Sequence, residues 1–491
     1  MNAQPRISWL RRGAALAAGW TALLFGAGCM VGPDYHAPAS AVKMKAWTTP
    51  PASANATATN AAPAMDPWWT TFGDPELTRL IERALESSPD IAIAAQRVRE
   101  ARAGLKSVAG GELPTVGVGA GKMEYRRTGP LNTLYRGNYP TFQTGFDASW
   151  EIDLWGGTRR AVESAGAALE ATEEEGRGVR VALAAEVARD YVELRAVQHR
   201  LAIARTNLAL QQRTLELTRE RLHAGVASDL DAFRAAGLVA NTEALLPVLE
   251  DGRDQLIHRL GVLLGDEPNE LAGELAAPEP IPTAPANVAA GLPAELLRRR
   301  PDIRAAERRL AASTARIGAT EAQLYPHLGL AGTIGFVSTQ SSDLFDYSNR
   351  YFSAGPGLHW NLFDAGRVRA QVEAESARTE RAYMEYRKVV LGALTDVENA
   401  IGALNSEQRR HGALVDAADA AQKSVATATE LYRQGVTDFL GVIDAERSLA
   451  AAEDNIAQSD RAVSTDAIAL FKALGGGWQT TAPMSASTHQ S

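Results

Sequence analysis

A leucine repeat constrains the fold of this chain more than any other feature. The leucines stand seven residues apart, at Leu201, Leu208, Leu215 and Leu222. This spacing is typical of a coiled-coil seam and not of an isolated surface helix. The repeat stops at Gly225, and a new helical pattern starts beyond Ser228 and Asp229, whose side chains can cap a helix N-terminus. Two long antiparallel helices are therefore predicted to meet at a tight tip.

Most of the chain is duplicated. Gly225-Val226 returns as Gly435-Val436, Pro89-Asp90-Ile91 returns as Pro301-Asp302-Ile303, and Asp153-Leu154-Trp155 returns as Asn361-Leu362-Phe363. Two copies do not make an array of short repeats, so the duplication predicts one pseudo-symmetric domain and not a solenoid.

Strand-like residues precede each long helical stretch. The four predicted strands are Thr115–Lys122, Phe142–Leu154, Leu328–Val337 and Phe352–Phe363. Turn residues between them indicate two hairpins with long loops. Four strands make neither a stable sheet nor a closed barrel, so the missing strands must come from other copies of the chain.

The predicted geometry requires two environments. Each long helix has roughly 66 residues, which is about 100 Å at about 1.5 Å per residue. A sheet in lipid must close, because an open edge leaves backbone groups unpaired in hydrocarbon. Three chains would supply a twelve-stranded barrel and six helical hairpins. No stretch after residue 30 reaches the roughly 18 apolar residues that a spanning helix needs.

The N-terminus has the pattern of a secretory signal. Arg6, Arg11 and Arg12 precede an apolar run that is too short to span a bilayer. The only cysteine, Cys29, follows apolar and then small residues, which resembles the lipobox of bacterial lipoproteins. The resemblance implies N-palmitoyl and S-diacylglycerol groups on Cys29. A cysteine inside an ordinary cleaved signal and a twin-arginine signal are the alternatives.

Enzymatic, metal-binding and nucleic-acid functions lack support in the sequence. The net charge is −8, and the histidines have no metal-ligand spacing. A glycine-rich run from Gly117 resembles a phosphate loop, but Val116 and Met123 stand where a glycine and a hydroxyl residue are needed. The sequence predicts no enzyme activity, no cofactor other than the covalent lipid, no metal site and no nucleic-acid partner.

Several motifs together resemble one family. They are the start Cys29-Met30-Val31-Gly32-Pro33-Asp34-Tyr35, the duplicated Pro-Asp-Ile helix, the strand ends near Asp153 and Asn361, and the second tip from Tyr432 to Ala445. These motifs resemble the outer-membrane efflux proteins, the TolC and OprM-like family, and especially its NodT-type lipoprotein branch. The resemblance covers residue 29 to about residue 477.

The resemblance implies a trimer that serves as the exit duct of a tripartite efflux system. Its fold would be α+β, with a twelve-stranded outer-membrane β-barrel continuous with a periplasmic α-helical barrel. The implied partners are an inner-membrane pump of the resistance-nodulation-division (RND) type, a periplasmic membrane-fusion adaptor and outer-membrane lipid. Drug resistance is an associated role, and the cargo is chosen largely at the pump.

The resemblance also assigns candidate site residues. Those expected to contact the adaptor are Gly225, Val226, Ala227, Ser228, Gly435, Val436 and Thr437. Those expected to form the periplasmic gate are Tyr432, Asp438, Asp444, Asp229 and Asp231. Three copies of the acids would form a ring that attracts cations. For any single aspartate, a helix N-cap or a solvated face is the alternative.

The predicted organisation divides the chain into six parts. Residues 1–28 are the signal peptide, 29–67 a lipid-anchored extended tether, 68–266 the first repeat, 267–293 a proline-rich linker, 294–476 the second repeat and 477–491 a disordered tail. Two alternative functions remain open at this point. One is a structural coiled-coil lipoprotein that transports nothing, and the other is a duct for a metal pump or a type I secretion pump.

Overall fold

The structure is a computed structural model that describes residues 30–38, 42, 44, 46–48, 67–127, 137–285, 288, 291 and 293–478. It divides into two compact units. The sheet unit contains residues 99–171 and 306–386 with the N-terminal segment up to Pro38, and the helical unit contains the rest.

The order of elements in the first half of the chain returns in the second. Helices α1 to α4 are Pro75–Ser87, Pro89–Ala109, Gly157–His223 and Asp229–Leu264. Helices α5 to α8 are Leu296–Arg299, Pro301–Glu321, Arg367–Arg433 and Phe439–Ala473. Strands β1 to β4 are Thr115–Arg127, Gly137–Ile152, His327–Ser338 and Arg350–His359. In each half a helix is followed by two strands, a helix of 67 residues and a return helix.

The four strands form one antiparallel sheet in the order β1-β2-β3-β4. The two predicted hairpins are confirmed, but several strand bounds were wrong, among them the end of β1, which was predicted at Lys122 and lies at Arg127. Strand β2 begins at Gly137, because Gly137 and Pro140 pair with Arg127 and Glu124 of β1 and do not form a loop. Strand β4 ends at His359, because its partner β3 begins at His327 and leaves nothing for later residues to pair with.

The two faces of the sheet differ in polarity. Neighbouring strands align Val118, Phe146, Ile334 and Phe352 in one row, and all four side chains are exposed within the chain. Because side chains alternate along a strand, the residues directly before and after each of these four point to the opposite face. That face carries mostly polar or small residues, among them Thr115, Asp147, Ser149, Glu151, Thr333 and Ser353. One face therefore suits hydrocarbon and the other suits water.

The start of the predicted tether is fastened to the sheet unit. The backbone N–H of Val31 donates to the carbonyl oxygen of Trp155 at 3.0 Å. The buried guanidinium of Arg160 binds Asp34 at 2.6 Å and Glu163 at 2.8 Å, and the Tyr35 hydroxyl donates to Glu307. In the helical unit, the indole N–H of Trp47 donates to the Gly291 carbonyl oxygen at 2.9 Å. These described parts of residues 29–67 are held by polar contacts and contain no helix or strand.

Asp34 is expected to make the attachment of residues 31–35 to the sheet unit sensitive to acid. A hydrogen bond from Arg160, and then its charge, lower the pKa of Asp34 from its ordinary value of 3.8. The stabilisation is therefore present above about pH 3.8 and is lost as the pH falls through the lower, folded-state pKa. We expect Asp34→Asn to cause faster amide hydrogen exchange in residues 31–35 at neutral pH, with Asp90→Asn as an exposed control. Equal protection in the wild type and Asp34→Asn would contradict this role.

Segments predicted as linker and tail also pack on the helical unit. Leu271 and Leu275 are fully buried, and the Gln198 side-chain amide donates to the Leu275 carbonyl oxygen at 2.7 Å. Trp478, predicted to lie in a disordered tail, donates from its indole N–H to the Arg299 carbonyl oxygen at 3.0 Å and lies beneath the guanidinium of Arg177. The ordered chain thus continues to Trp478, because cation–π contact and a hydrogen bond hold its ring. Residues 479–491 lie outside the described residues.

Among the described residues, no helix is both long enough and apolar enough to cross a membrane.

Candidate functional site

The two predicted tips have the same backbone structure. At the first, the N–H of Val226 donates to the carbonyl oxygen of Arg221 and the N–H of Gly225 donates to that of Leu222, both at 2.9 Å. At the second, Val436 donates to Leu431 at 2.9 Å and Gly435 donates to Tyr432 at 3.0 Å. These paired bonds form the Schellman motif, which satisfies carbonyl groups left free at a helix end. Helices α3 and α7 therefore end by the same device.

Glycine is needed at both tips because of backbone conformation and not because of crowding. Gly225 has a φ of 76° and Gly435 a φ of 75°, which other residues adopt only with strain. Apart from the glycine itself and its two neighbours in the chain, no heavy atom of the described residues lies within 4 Å of the place where either residue would carry a Cβ atom. The tips are thus fixed in shape and open to approach from outside the chain.

The return helices begin with different caps. At α4, Ser228 Oγ accepts from the N–H of Asp231 at 3.2 Å, and an Asp231 carboxylate oxygen accepts from the N–H of Ser228 at 3.2 Å. This reciprocal pair is a capping box. At α8, Asp438 Oδ1 accepts from the N–H of Gly441 at 3.3 Å. Asp231 and Asp438 therefore stabilise helix starts, whatever else their charges do.

Most of the predicted adaptor-contact residues are exposed within the chain. The side chains of Val226 and Val436 are 64% and 69% exposed, while Ala227 and Thr437 are half-buried. Of the predicted gate acids, Asp229, Asp438 and Asp444 are exposed. The structure places one apolar side chain at the end of each tip and acids at the start of each return helix.

A shared hydrophobic cluster joins the two tips. It draws on all four helices that lead into or out of them, and we call it the tip cluster. Its buried members are Leu215, Ala235, Leu238, Tyr432, Phe439, Val442 and Ile443. The two hairpins of one chain are therefore held together just behind their tips.

Tyr432 is the central aromatic residue of the tip cluster. It is 5% exposed, and the centroid of its ring lies 4.3 Å from the guanidinium carbon of Arg221 and 5.3 Å from the ring centroid of Phe439. Arg221 also donates to the Tyr432 carbonyl oxygen at 2.8 Å. The Tyr432 hydroxyl has no hydrogen-bond partner among the described residues. The ring, and not the hydroxyl, makes the contacts between the hairpins.

Sequence reasoning missed Glu446. This glutamate of α8 is 3% exposed, and one carboxylate oxygen accepts from the Thr214 hydroxyl of α3 at 2.7 Å. The other oxygen has no hydrogen-bond partner among the described residues. Burial raises the pKa of Glu446, and the weaker effect of the Thr214 hydrogen bond lowers it. A signal was available, because Glu446 falls on the apolar stripe of Phe439, Val442, Ile443 and Leu449.

Cys29, the predicted lipidation site, lies outside the described residues. No group of three or more histidine, cysteine, aspartate or glutamate side chains suited to a metal ion occurs in the part of the chain that the structure describes.

Comparison with known proteins identifies the class to which this architecture belongs. The sequence matches the outer membrane efflux protein family over residues 80–266 and 292–476. The chain therefore belongs to that family, whose role is transport at the outer membrane.

Individual relatives agree with this assignment. The chain is 32% identical over 457 residues to Nodulation protein T of Rhizobium leguminosarum bv. trifolii, covering 93% of this chain and 96% of that protein. It is 33% identical over 420 residues to the pyoverdine export outer membrane protein OpmQ of Pseudomonas aeruginosa, covering 84% and 88%. The outer-membrane channel OprN has the same fold, with a TM-score of 0.82 at 37% identity, covering 92% of this chain and 100% of that one. The family resemblance and the predicted outer-membrane efflux function are confirmed.

Proposed function

We propose that three copies of this chain close into one exit duct of a tripartite efflux system. The support is the four-stranded sheet, whose edge strands β1 and β4 each have one side without a partner strand in the part of the chain that the structure describes. A membrane cannot leave such backbone groups unpaired, and neighbouring copies can pair with them. The apolar face of the sheet would then meet lipid and the polar face would line water. The two-faced sheet is the observation that carries the proposal.

The partners in this proposal are a periplasmic adaptor and an inner-membrane RND pump. The adaptor contacts the tips at Gly225, Val226, Ala227, Ser228, Gly435, Val436 and Thr437. Two features support this contact: the exposed valine at each tip and the open space around each glycine. A helix of the adaptor can approach such a surface closely and bury both valines. The pump supplies the energy, and the duct itself catalyses no reaction.

The gate in this proposal lies at the tips. Asp438, Asp444, Asp229 and Asp231 contribute a ring of negative charge, and Tyr432 holds the hairpins together behind it. Opening separates the two hairpins and breaks the contacts of the tip cluster. Cations are attracted to the ring, since charges near a narrow pore act over about one Debye length, roughly 8 Å at physiological salt.

Single-channel recording in planar bilayers tests both the duct and its gate. The variant Asp438→Asn/Asp444→Asn removes two charges per chain, while asparagine can still cap α8. We expect the wild type to give a small cation-selective conductance and the double variant to lose most of that selectivity. Asp416→Asn/Asp419→Asn removes the same charge from α7, farther along the chain from the tip, and should behave as the wild type.

The outcomes of this recording are distinct. A trimeric, membrane-inserted sample without any channel would reject the duct and leave the structural coiled-coil lipoprotein. If the double variant has the same cation selectivity as the wild type, the duct proposal stands and the assignment of the gate to the tip acids is rejected. The lipoprotein alternative gives no role to a sheet with one apolar and one polar face.

The cargo class in this proposal is small molecules. The relative OpmQ is named for pyoverdine export, which is consistent with small-molecule cargo here. The alternative is that the duct serves a metal pump or a type I secretion pump and passes metal ions or secreted proteins instead. A duct of this kind passes what its pump delivers, so identifying the pump would narrow the cargo class. The adaptor and pump should co-purify with the wild-type protein and should be absent from preparations of the tip variants Val226→Asp and Val436→Asp.

The anchor in this proposal is a lipid on Cys29. Its support is the sequence before Cys29 and the fastening of the next residues beside the sheet. Met30 lies against Gly156, which follows the end of β2 at Ile152. Acyl chains on Cys29 would then enter the membrane next to the sheet.

A further inference from the structure

The apolar face of the sheet carries a cleft at its loop end. The row of Val118, Phe146, Ile334 and Phe352 forms the floor, and residues of the loop between β3 and β4 form the wall. The cleft has a volume of about 620 Å³. Its lining is mainly apolar and aromatic, which suits hydrocarbon chains better than a polar solute.

The loop that forms the wall is ordered by its own polar contacts. The Ser338 hydroxyl donates to the Asp343 carboxylate at 2.6 Å, and the Asn349 side-chain amide donates to the Asp343 carbonyl oxygen at 2.6 Å. The loop nevertheless holds Phe345 and Tyr347 at 73% and 77% exposure. An ordered loop that exposes two aromatic rings beside an apolar cleft indicates a surface for an apolar ligand.

Arg350 places a positive charge at the rim of this cleft. Its guanidinium carbon lies 3.3 Å from the centroid of the Tyr347 ring, and it donates to the Tyr347 carbonyl oxygen at 3.2 Å. Arg350 forms no ion pair within the described residues, although the loop contains two acids, Asp343 and Asp346. Stacking fixes the guanidinium plane, while the N–H groups at its edge can still bind an anion.

The position of the cleft indicates which lipid it meets. The loop joins the ends of β3 and β4 that are opposite the ends connected to α6 and α7. Under the proposed function, on which this inference rests, the loop end of the sheet faces the outer leaflet, which is made of a phosphorylated glycolipid. We propose that the cleft binds the acyl chains of this glycolipid and that Arg350 binds its phosphate. A guanidinium can donate two parallel hydrogen bonds to one phosphate group.

The experiment measures binding of bis-phosphorylated lipid A to the full-length protein in phosphatidylcholine nanodiscs. The variants are Arg350→Gln, Phe345→Ala and the control Lys122→Gln. Lys122 lies on the same face but outside the cleft, and it pairs with Glu124 at 3.6 Å. We expect Arg350→Gln to weaken binding about tenfold, the usual effect of losing a charge-assisted hydrogen bond. Phe345→Ala should also weaken binding, and Lys122→Gln should not.

Two results would overturn the inference. One is unchanged affinity in Arg350→Gln, and the other is equal affinity of the wild type for lipid A stripped of its phosphates. Channel recording on the same preparation separates this inference from the proposed function. If the channel conducts but does not bind lipid A, only the proposed lipid site in the cleft is rejected. If a membrane-inserted trimer does not conduct, the proposed duct is rejected.

Discussion

Replacing Tyr432 with alanine is expected to shift the channel strongly towards its open state. The substitution removes the ring on which Arg221 stacks and against which Phe439 packs. Truncating a buried aromatic side chain typically costs about 3–5 kcal/mol, within which a cation–π contact contributes about 0.5–2 kcal/mol. If opening breaks the tip cluster, this cost falls on the closed state alone. The ratio of open to closed channels should then rise roughly 100- to 4,000-fold.

Tyr432→Phe is the matched control for this prediction. The Tyr432 hydroxyl has no described hydrogen-bond partner, so phenylalanine keeps the contacts that matter. Open probability in planar bilayers should therefore stay near the wild-type value in Tyr432→Phe and rise in Tyr432→Ala. An alanine variant that remains closed would show that the tip cluster is not part of the gate.

Glu446 is expected to make opening depend on pH. Burial raises its pKa above the ordinary value of 4.5, so the packed tips favour the protonated carboxyl group. The stabilisation of the closed state is fully present below about pH 4.5 and is lost as the pH rises through the raised pKa. The wild-type channel should thus open more readily at neutral than at acidic pH.

Glu446→Gln should remove this dependence. Glutamine keeps the shape of the side chain and can still accept from Thr214, but it cannot ionise. The closed state at neutral pH should be more stable in Glu446→Gln than in the wild type, because glutamine cannot carry the charge that burial disfavours. Open probability measured from pH 4 to pH 8 gives the result, with the exposed Glu430→Gln as control. A pH dependence that persists in Glu446→Gln would assign it to other groups.

The helices, tips and strands could be predicted because their signals are local. Each of these elements is marked by residues close together in the sequence. The signals are the seven-residue leucine spacing, the glycine with positive φ and the alternating pattern of a strand. The leucine repeat ends at Leu222 and the first long helix ends one residue later, at His223, while Ser228 caps the return helix as predicted. The errors at β1, β2 and β4 came from pairing, since the partner strand decides where a strand begins and ends.

The sequence alone determined the family, the duplicated architecture of helices and strands, and the positions of the two tips. Only the tertiary structure decided which side chains those elements bury together. Tyr432 and Arg221 meet across two hairpins, Glu446 reaches Thr214 of another helix, and Trp478 packs where a tail was predicted. The physical reason is that burial and pKa depend on neighbours hundreds of residues away in the chain. Local periodicity fixes the face of a helix but not what packs against it.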